Sequence, residues 1–121
     1  MQILIVDDSK TMRTLVRRSL RQAGFDGFDV AEASDGREAL VQMKAKMPDL
    51  ILSDWNMPVL DGYELLCALR KAKINIPFGF VTAQSTPEMR DRARGAGARF
   101  LITKPFDPED FKTHLSDLIP N

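Results

Sequence analysis

Short apolar runs recur along the chain, and each run is followed by a stretch with helical periodicity. Residues 3–6, 50–52, 78–81 and 100–102 form the clearest runs, and residues 28–33 form a weaker one. A short apolar run is typical of a strand that is covered on both faces, as in a parallel sheet. Strict alternation of strands and helices therefore predicts a doubly wound α/β fold with five parallel strands and helices on both faces.

Capping residues predict where four of the helices begin. Ser9 is suited to cap the first helix, and Gly24 to end it. Residues 61–64, Asp-Gly-Tyr-Glu, resemble a capping box for the third helix. Pro87 predicts the first position of the fourth helix, and residues 107–110 place acids in the first turn of the fifth.

Two further patterns predict helix faces. The second helix, which we expect to end near a proline, has an apolar face formed by Ala39, Leu40, Met43 and Met47. The first helix carries Arg13, Arg17 and Arg21 at a spacing of four residues, opposite its apolar face. We interpret this arginine stripe as a solvated face, and the alternative is a surface that docks a kinase or phosphotransfer domain.

Length and composition suit one compact domain, which we expect to span residues 1–121. Seventeen basic residues balance seventeen acidic residues, so no overall field favours nucleic acid or membrane, and we expect neither direct nucleic-acid binding nor membrane insertion. Cys67 is the only cysteine, which excludes an internal disulfide. The N-terminal apolar run ends before Asp7 and is too short for the core of a signal peptide, so we expect a cytoplasmic protein. We also expect it to be a monomer.

Chemically useful side chains follow four of the five predicted strands. Asp7-Asp8 follow the first, Ser53-Asp54 the third, Thr82 the fourth, and Thr103-Lys104 the fifth. In an open parallel sheet, the carboxyl ends of the strands form the ligand-binding edge. A single acid at such a position is often only a turn former or a helix cap. That alternative does not explain three carboxylates, one lysine and one threonine at the same edge.

This set of residues predicts a particular chemistry. Three carboxylates held close together repel one another, so that either some are protonated or a cation neutralises them. Oxygen-only ligands favour a hard ion such as Mg²⁺, and zinc is disfavoured because no His or Cys belongs to the set. Lys104 could share the oxygens of a phosphoryl group with that ion and with the Thr82 hydroxyl. A carboxylate can also act as the nucleophile and form an acyl phosphate.

The same segments resemble the receiver domain of two-component response regulators. The resemblance covers the whole chain, and the segment of residues 53–58 is most similar to that of the single-domain chemotaxis regulators. It implies a flavodoxin-like (βα)5 fold with strand order 2-1-3-4-5. The residues that carry it are Asp7-Asp8, Asp54, Asn56-Met57-Pro58, Asp61-Gly62, Thr82-Ala83 and Lys104-Pro105-Phe106.

The resemblance implies a role for each residue at this edge. Asp54 would receive a phosphoryl group from a phosphohistidine on a histidine kinase or a phosphotransfer protein. Mg²⁺ would be bound by the side chains of Asp8 and Asp54 and by the backbone carbonyl of Asn56, with Asp7 acting mainly through water. Lys104 would contact the phosphoryl group.

Further residues are assigned by the same resemblance. Thr82 would move to form a hydrogen bond with the phosphoryl group, and the peptide bond between Lys104 and Pro105 is expected to be cis. Asn56 and Gln84 would modulate the lifetime of the phosphorylated state, and the alternative interpretation of both is simple exposed polarity.

Leu101 departs from the family pattern, which commonly has a tyrosine or phenylalanine switch at this position. Phe100 is one residue earlier and should point to the opposite face of the strand. One interpretation is that Leu101 preserves the switch by a smaller repacking. The hypothesis that we pursue is that the response depends more on the loop after Thr82 and on the fourth helix.

The resemblance predicts a phosphorylatable switch that signals through altered protein–protein binding. The output face would comprise the fourth helix, fifth strand and fifth helix, and the target could be the flagellar motor switch. A phosphorelay intermediate fits equally. From a different class, a Mg²⁺-dependent aspartyl-phosphate phosphohydrolase would usually carry a second acid where this chain has Asn56. A flavodoxin-type FMN binder would need a glycine- and hydroxyl-rich loop in place of Asp7-Asp8.

Overall fold

Five strands alternate with five helices in the computed structural model, which describes residues 1–118. The elements in chain order are β1 (Gln2–Val6), α1 (Lys10–Gln22), β2 (Asp29–Ala33), α2 (Gly36–Ala45), β3 (Leu50–Ser53), α3 (Gly62–Lys71), β4 (Phe78–Thr82), α4 (Pro87–Gly95), β5 (Phe100–Thr103) and α5 (Pro108–Leu115).

All four strand pairings are parallel, and the order in the sheet is β2-β1-β3-β4-β5. The flavodoxin-like fold and the strand order are thus confirmed. The chain reverses its winding direction between β1 and β3, which are neighbours in the sheet. This switch point places the residues after Val6 and Ser53 side by side, because those two residues are partners in the register.

Two apolar clusters cover the two faces of the sheet. One cluster packs α1 and α5 against the sheet, and it contains Phe100. The other packs α2, α3 and α4 against the opposite face, and it contains Leu101. Side chains alternate between faces along a strand, so neighbouring residues of β5 contribute to different clusters, as predicted.

The predicted caps are present. Ser9 Oγ accepts a hydrogen bond from the Met12 backbone N–H at 3.2 Å, and Gly24 follows α1 in the left-handed region with φ of 99°. Asp61 forms a reciprocal capping box with Glu64 at the start of α3. Thr86 caps α4 directly before Pro87, and Asp107 caps α5. These caps fix the helix starts that face the carboxyl edge of the sheet.

One prediction about helix faces is wrong, and a second, the solvated arginine stripe, is correct only for Arg21. α2 ends at Ala45 because Lys46 is extended, so Met47 lies beyond the helix and is 49% exposed. The other two arginines of the stripe are not simply solvated. Arg13 Nε and Arg17 Nη2 each donate to the Glu32 carboxylate at 2.8 Å, which ties α1 to the edge strand β2.

No helix within residues 1–118 is both long enough and apolar enough to span a membrane.

Candidate functional site

The carboxyl ends of β1 and β3 bring three carboxylates together. Asp7 and Asp8 directly follow β1, and Asp54 directly follows β3. One oxygen from each of the three side chains lies within 4.8 Å of the other two. Asp7 is buried, Asp54 is half-buried and Asp8 is exposed. The cluster therefore opens to solvent on the side of Asp8.

Lys104 neutralises part of this charge. Its Nζ donates to Asp7 Oδ2 at 2.9 Å and to Asp54 Oδ2 at 3.3 Å. The lysine comes from the turn after β5, where its own backbone N–H donates to the Thr82 carbonyl at 2.8 Å. The peptide bond between Lys104 and Pro105 is cis. The strand ends thus bring a cation into contact with carboxylates that lie 97 and 50 residues away in sequence.

Backbone groups hold the remaining carboxylate oxygens. The Ser9 N–H donates to Asp7 Oδ1 at 2.9 Å, and the Trp55 N–H donates to Asp54 Oδ1 at 2.7 Å. Each of these two carboxylates therefore has one oxygen fixed by the backbone and the other bound to Lys104. Fixed oxygens of this kind lower the cost of reorganisation when charge changes at the site.

The charges shift the pKa values of two groups. Burial raises the pKa of Asp54 above its usual range, Lys104 lowers it, and the nearby Asp7 carboxylate raises it again, with a net increase. Burial by itself lowers the pKa of Lys104, but its hydrogen bond to Asp7 and the charges of Asp54 and Asp7 raise it further, so the lysine stays protonated. Without a further cation, the site holds more negative charge than Lys104 balances.

The donor set suits a hard divalent cation. The three side chains offer only oxygen, which is the ligand type that Mg²⁺ prefers. One oxygen from each side chain lies within 4.8 Å of the other two, so these residues could share one small cation directly or through a water molecule. The residues present therefore fit the ion that the sequence predicted.

The loop after Asp54 is locked against the start of α3. The Gly62 N–H donates to the Trp55 carbonyl at 2.8 Å, and Ser53 Oγ donates to the Asp54 carbonyl at 2.8 Å. A Cβ atom at Gly62 would lie only 2.0 Å from that same Asp54 carbonyl oxygen, so only glycine fits there. This packing fixes the backbone on both sides of the carboxylate.

The other predicted site residues occupy three environments. Thr82 ends β4 and is buried, whereas Asn56 and Gln84 are exposed in the loops after β3 and β4. Leu101 is buried within β5, away from the strand end. Among residues 1–118, the hydrogen bonds do not join the side chains of Thr82, Asn56 or Gln84 to the carboxylates.

Two contributors were missed by reasoning from sequence. Arg13 Nη1 donates to the Asp7 carbonyl at 2.6 Å while its Nε binds Glu32, so this arginine braces the end of β1. Trp55 is buried and stacks on Tyr63 and Phe80. A tryptophan beside a site acid was a visible signal for the second contributor. The arginine gave no such signal, because its pairing depends on where β2 lies.

The fold and the site together define a class: a flavodoxin-like α/β protein with an acidic, lysine-containing pocket at its switch point. The family model of the response regulator receiver domain matches residues 3–116. The chain belongs to this family and is a receiver domain of two-component response regulators, which is a class of signalling domain.

Similar proteins agree with this assignment. The chain is 35% identical to the Vibrio cholerae chemotaxis protein CheY4, with a TM-score of 0.84 and 98% of each chain covered. It is 37% identical over 118 residues to the sensor protein EvgS of Escherichia coli K12 and 37% identical over 120 residues to the Bacillus subtilis regulator of alkaline phosphatase synthesis, PhoP. In both cases 98% of this chain is covered, but it spans only 10% of EvgS and 48% of PhoP.

Proposed function

We propose that the chain is a phosphorylatable switch in which Asp54 accepts a phosphoryl group from a phosphohistidine on a histidine kinase or phosphotransfer protein. The observation that carries the proposal is the cluster of Asp7, Asp8 and Asp54 oxygens within 4.8 Å, with Lys104 donating to two of the three carboxylates. A site with fixed charges and little other chemistry is what phosphoryl transfer requires.

Mg²⁺ is the proposed cofactor. Asp8, Asp54 and the Asn56 backbone carbonyl would hold it, with Asp7 bound through water. When bound, the ion supplies positive charge that shields the phosphoryl oxygens from the carboxylates. This role matches the charge imbalance of the site, where one lysine faces three acids.

The transfer is a displacement at phosphorus. A carboxylate oxygen of Asp54 forms the new P–O bond while the P–N bond to the donor histidine breaks, and the departing imidazole takes up a proton. The Nζ atom of Lys104 lies 3.3 Å from Asp54 Oδ2 and would therefore be within reach of the oxygens of the incoming phosphoryl group. The Trp55 N–H orients the other carboxylate oxygen, which presents the nucleophile in one direction.

Phosphorylation of Asp54 would change the binding of partner proteins through movements around the site. In the proposal, Thr82 turns to bind the phosphoryl group, which draws in the loop that precedes α4. Asn56 and Gln84, both exposed beside the site, would set how readily water reaches the acyl phosphate. The α4–β5–α5 face would then bind a downstream target protein.

The setting of this switch is also part of the proposal. Residues 1–121 would act as one monomeric receiver domain in the cytoplasm, where kinases of this type present their phosphohistidine. Similarity to the chemotaxis protein CheY4 supports a role in chemotaxis, whereas similarity to the sensor protein EvgS and the transcriptional regulator PhoP supports a different output. We propose the flagellar motor switch as the target in the first case and a phosphorelay as the alternative.

Labelling by a phosphorylated histidine kinase tests the proposal. With Mg²⁺ present, we expect the wild type to be labelled and Asp54→Asn to remain unlabelled. Asp61→Asn is the matched control, because this acid caps α3 and should leave labelling intact. Undiminished labelling of Asp54→Asn would refute the assignment, and rapid turnover of small phosphate esters would favour the phosphohydrolase.

A further inference from the structure

A groove of about 480 Å³ lies between α2 and the C-terminal end of α3, separate from the acidic site. Its lining is mainly apolar, with Val41 60% and Met47 49% exposed. These are two of the five large apolar side chains that are exposed within residues 1–118. Apolar side chains gathered in one groove, rather than scattered singly, mark binding surfaces. The apolar lining comprises Leu40, Val41, Met43, Met47, Leu69 and Ile74.

The exposure of Met47 has a local cause. α2 ends at Ala45, and the extended backbone at Lys46 takes the chain out of the helical path. Met47 therefore lines the groove with Val41 instead of packing into the core beneath α2. Neither side chain contributes to the two apolar clusters that cover the sheet. Their exposure is therefore not explained by the packing of the domain.

The charged residues that line the groove are all basic. Arg37 and Lys44 belong to the lining, and the lining contains no acid. Exposed Lys46 directly follows α2, and exposed Lys73 directly precedes Ile74. None of these four cations forms a salt bridge within residues 1–118. An incoming acidic group would therefore find cations that are not already paired.

The acids of α2 and α3, and those that flank α2 in sequence, form other contacts. Asp35 caps α2, and Glu38 accepts a hydrogen bond from Ser34 Oγ at 2.7 Å. Glu64 belongs to the capping box of α3, and Asp49 accepts from the Gln2 N–H at 2.8 Å. These contacts hold each carboxylate against backbone or side chains of its own surroundings. The cations of the groove therefore form no direct ion pair with these acids within the described residues.

We infer that this groove binds an amphipathic helix of a partner protein, with its apolar side chains between α2 and α3 and its acidic side chains beside Arg37 and Lys44. A slot between two helices accepts the ridge of a third helix, and opposite charge fixes its orientation. The recessed shape favours a helix over a lipid surface. The chain as a whole has no net charge, so the attraction is local to the groove.

This surface differs from the face that the proposed function uses for output. The output face is formed by α4, β5 and α5, whereas the groove is formed by α2, the residues after it, and the end of α3. The binding of the partner helix therefore does not require the output face. Failure of the groove proposal leaves the phosphoacceptor assignment intact, and the reverse also holds.

A pair of designed peptides tests the inference. The probe is a stapled 16-residue helix with leucines at positions i, i+3, i+4 and i+7 and glutamates on its other face, and its twin has lysines in place of the glutamates. Each is titrated into the full-length protein and followed by amide NMR shifts. We expect the acidic helix to shift resonances of α2 and of the segment around Ile74, with at least tenfold higher affinity than its twin.

Matched variants distinguish binding in the groove from nonspecific hydrophobic or electrostatic binding elsewhere on the surface. Val41→Glu with Met47→Glu should weaken binding of the acidic helix at least tenfold. Val59→Glu is the control, because Val59 is 71% exposed but lies outside the groove. Arg37→Glu with Lys44→Glu should reverse the preference toward the lysine peptide. The control for this change is Arg21→Glu with Lys112→Glu, which alters two exposed cations on α1 and α5.

Several results would overturn the inference. These are equal affinity for the two peptides, shifts that map to α1 or to the α4–β5 face, and equal losses in the Val59→Glu control. Co-sedimentation of the wild type with phosphatidylglycerol vesicles, abolished by Val41→Glu with Met47→Glu, would assign the groove to a membrane instead. All of the substituted side chains are exposed, so each variant should retain the wild-type circular dichroism spectrum.

Discussion

Asp54 is ionised at an electrostatic cost, because burial and the Asp7 charge oppose ionisation more than Lys104 favours it. The same carboxylate must nevertheless be ionised to act as a nucleophile. A bound cation would resolve this conflict by adding positive charge at the open side, beside Asp8. In the protein without metal, the neutral form of Asp54 therefore favours stability, whereas its function as a nucleophile requires the ionised form.

Asp54→Asn should raise the free energy of unfolding in the presence of EDTA at neutral pH. The pKa of Asp54 is higher in the folded than in the unfolded protein, so its ionisation favours unfolding as pH rises through the folded value. The advantage of the variant should shrink as pH falls toward 4. Urea unfolding between pH 3.5 and 7.5 measures this, with exposed Asp91→Asn as the control. A constant difference across the range would contradict the prediction.

Lys104→Gln should bind Mg²⁺ more tightly than the wild type. The lysine charge lies within hydrogen-bonding distance of two carboxylates, so it repels a cation held by the same oxygens. Removing a unit charge at this range should raise affinity roughly tenfold. Isothermal titration calorimetry at fixed ionic strength gives the affinity. Unchanged or weaker binding would show that the lysine does not oppose the ion.

The aromatic ring of Phe100 in β5 packs directly on Gly79 in β4. Gly79 and Phe100 are partners in the register, and a Cβ atom at Gly79 would lie 2.1 Å from Cζ of the ring. On its other side, the ring stacks on His114 of α5, with centroids 5.0 Å apart. The absence of a side chain in the middle of β4 is therefore what lets the ring lie flat between sheet and helix.

A double-mutant cycle tests this contact. Gly79→Ala should destabilise the fold by about 1–3 kcal/mol through overpacking, and Phe100→Ala by about 3–5 kcal/mol through the space it leaves. The combined variant should cost less than the sum by at least about 1 kcal/mol, because the added methyl group then has room. Urea unfolding of the four proteins gives the coupling energy. Simple additivity would mean that the two residues do not constrain each other.

The loop after Thr82 and helix α4 should carry most of the response to phosphorylation. Leu101 is buried with residues of the α2, α3 and α4 face, and it is smaller than the aromatic residue common at this position in the family. Binding of Mg²⁺ with beryllofluoride should change amide hydrogen exchange across residues 83–95. Exchange across α2, away from the output face, serves as the internal reference. Unchanged exchange across residues 83–95, together with an inward swing of Leu101 in a structure of the activated protein, would refute this expectation.

For the molecule as a whole, much of the architecture follows from local sequence. Apolar runs located the strands, and caps such as Asp61 and Thr86 located helix starts, because both signals act within a few residues. The convergence of Asp7, Asp54 and Lys104 followed from one further rule, that parallel strands end at the same edge. The strand order itself came from the family resemblance.

What local sequence did not predict depends on contacts between distant elements. The link from Arg13 and Arg17 to Glu32 exists because β2 lies beside β1, and helical spacing alone cannot show that. Met47 continues the apolar spacing of α2 in sequence, but the helix ends at Ala45 and Lys46 is extended. In both cases the periodicity was real, but tertiary packing and the helix end determined what the side chain contacts.

The stacking of Trp55 on Tyr63 gives the molecule an optical label at its site. The chain contains one tryptophan and one tyrosine, and their rings are 5.3 Å apart and nearly parallel, with the Arg92 guanidinium 4.3 Å from the tyrosine centroid. Two transition dipoles this close couple to each other, so the near-ultraviolet circular dichroism comes largely from a single pair of chromophores. A change in that band therefore reports on the loop beside Asp54 without any added dye.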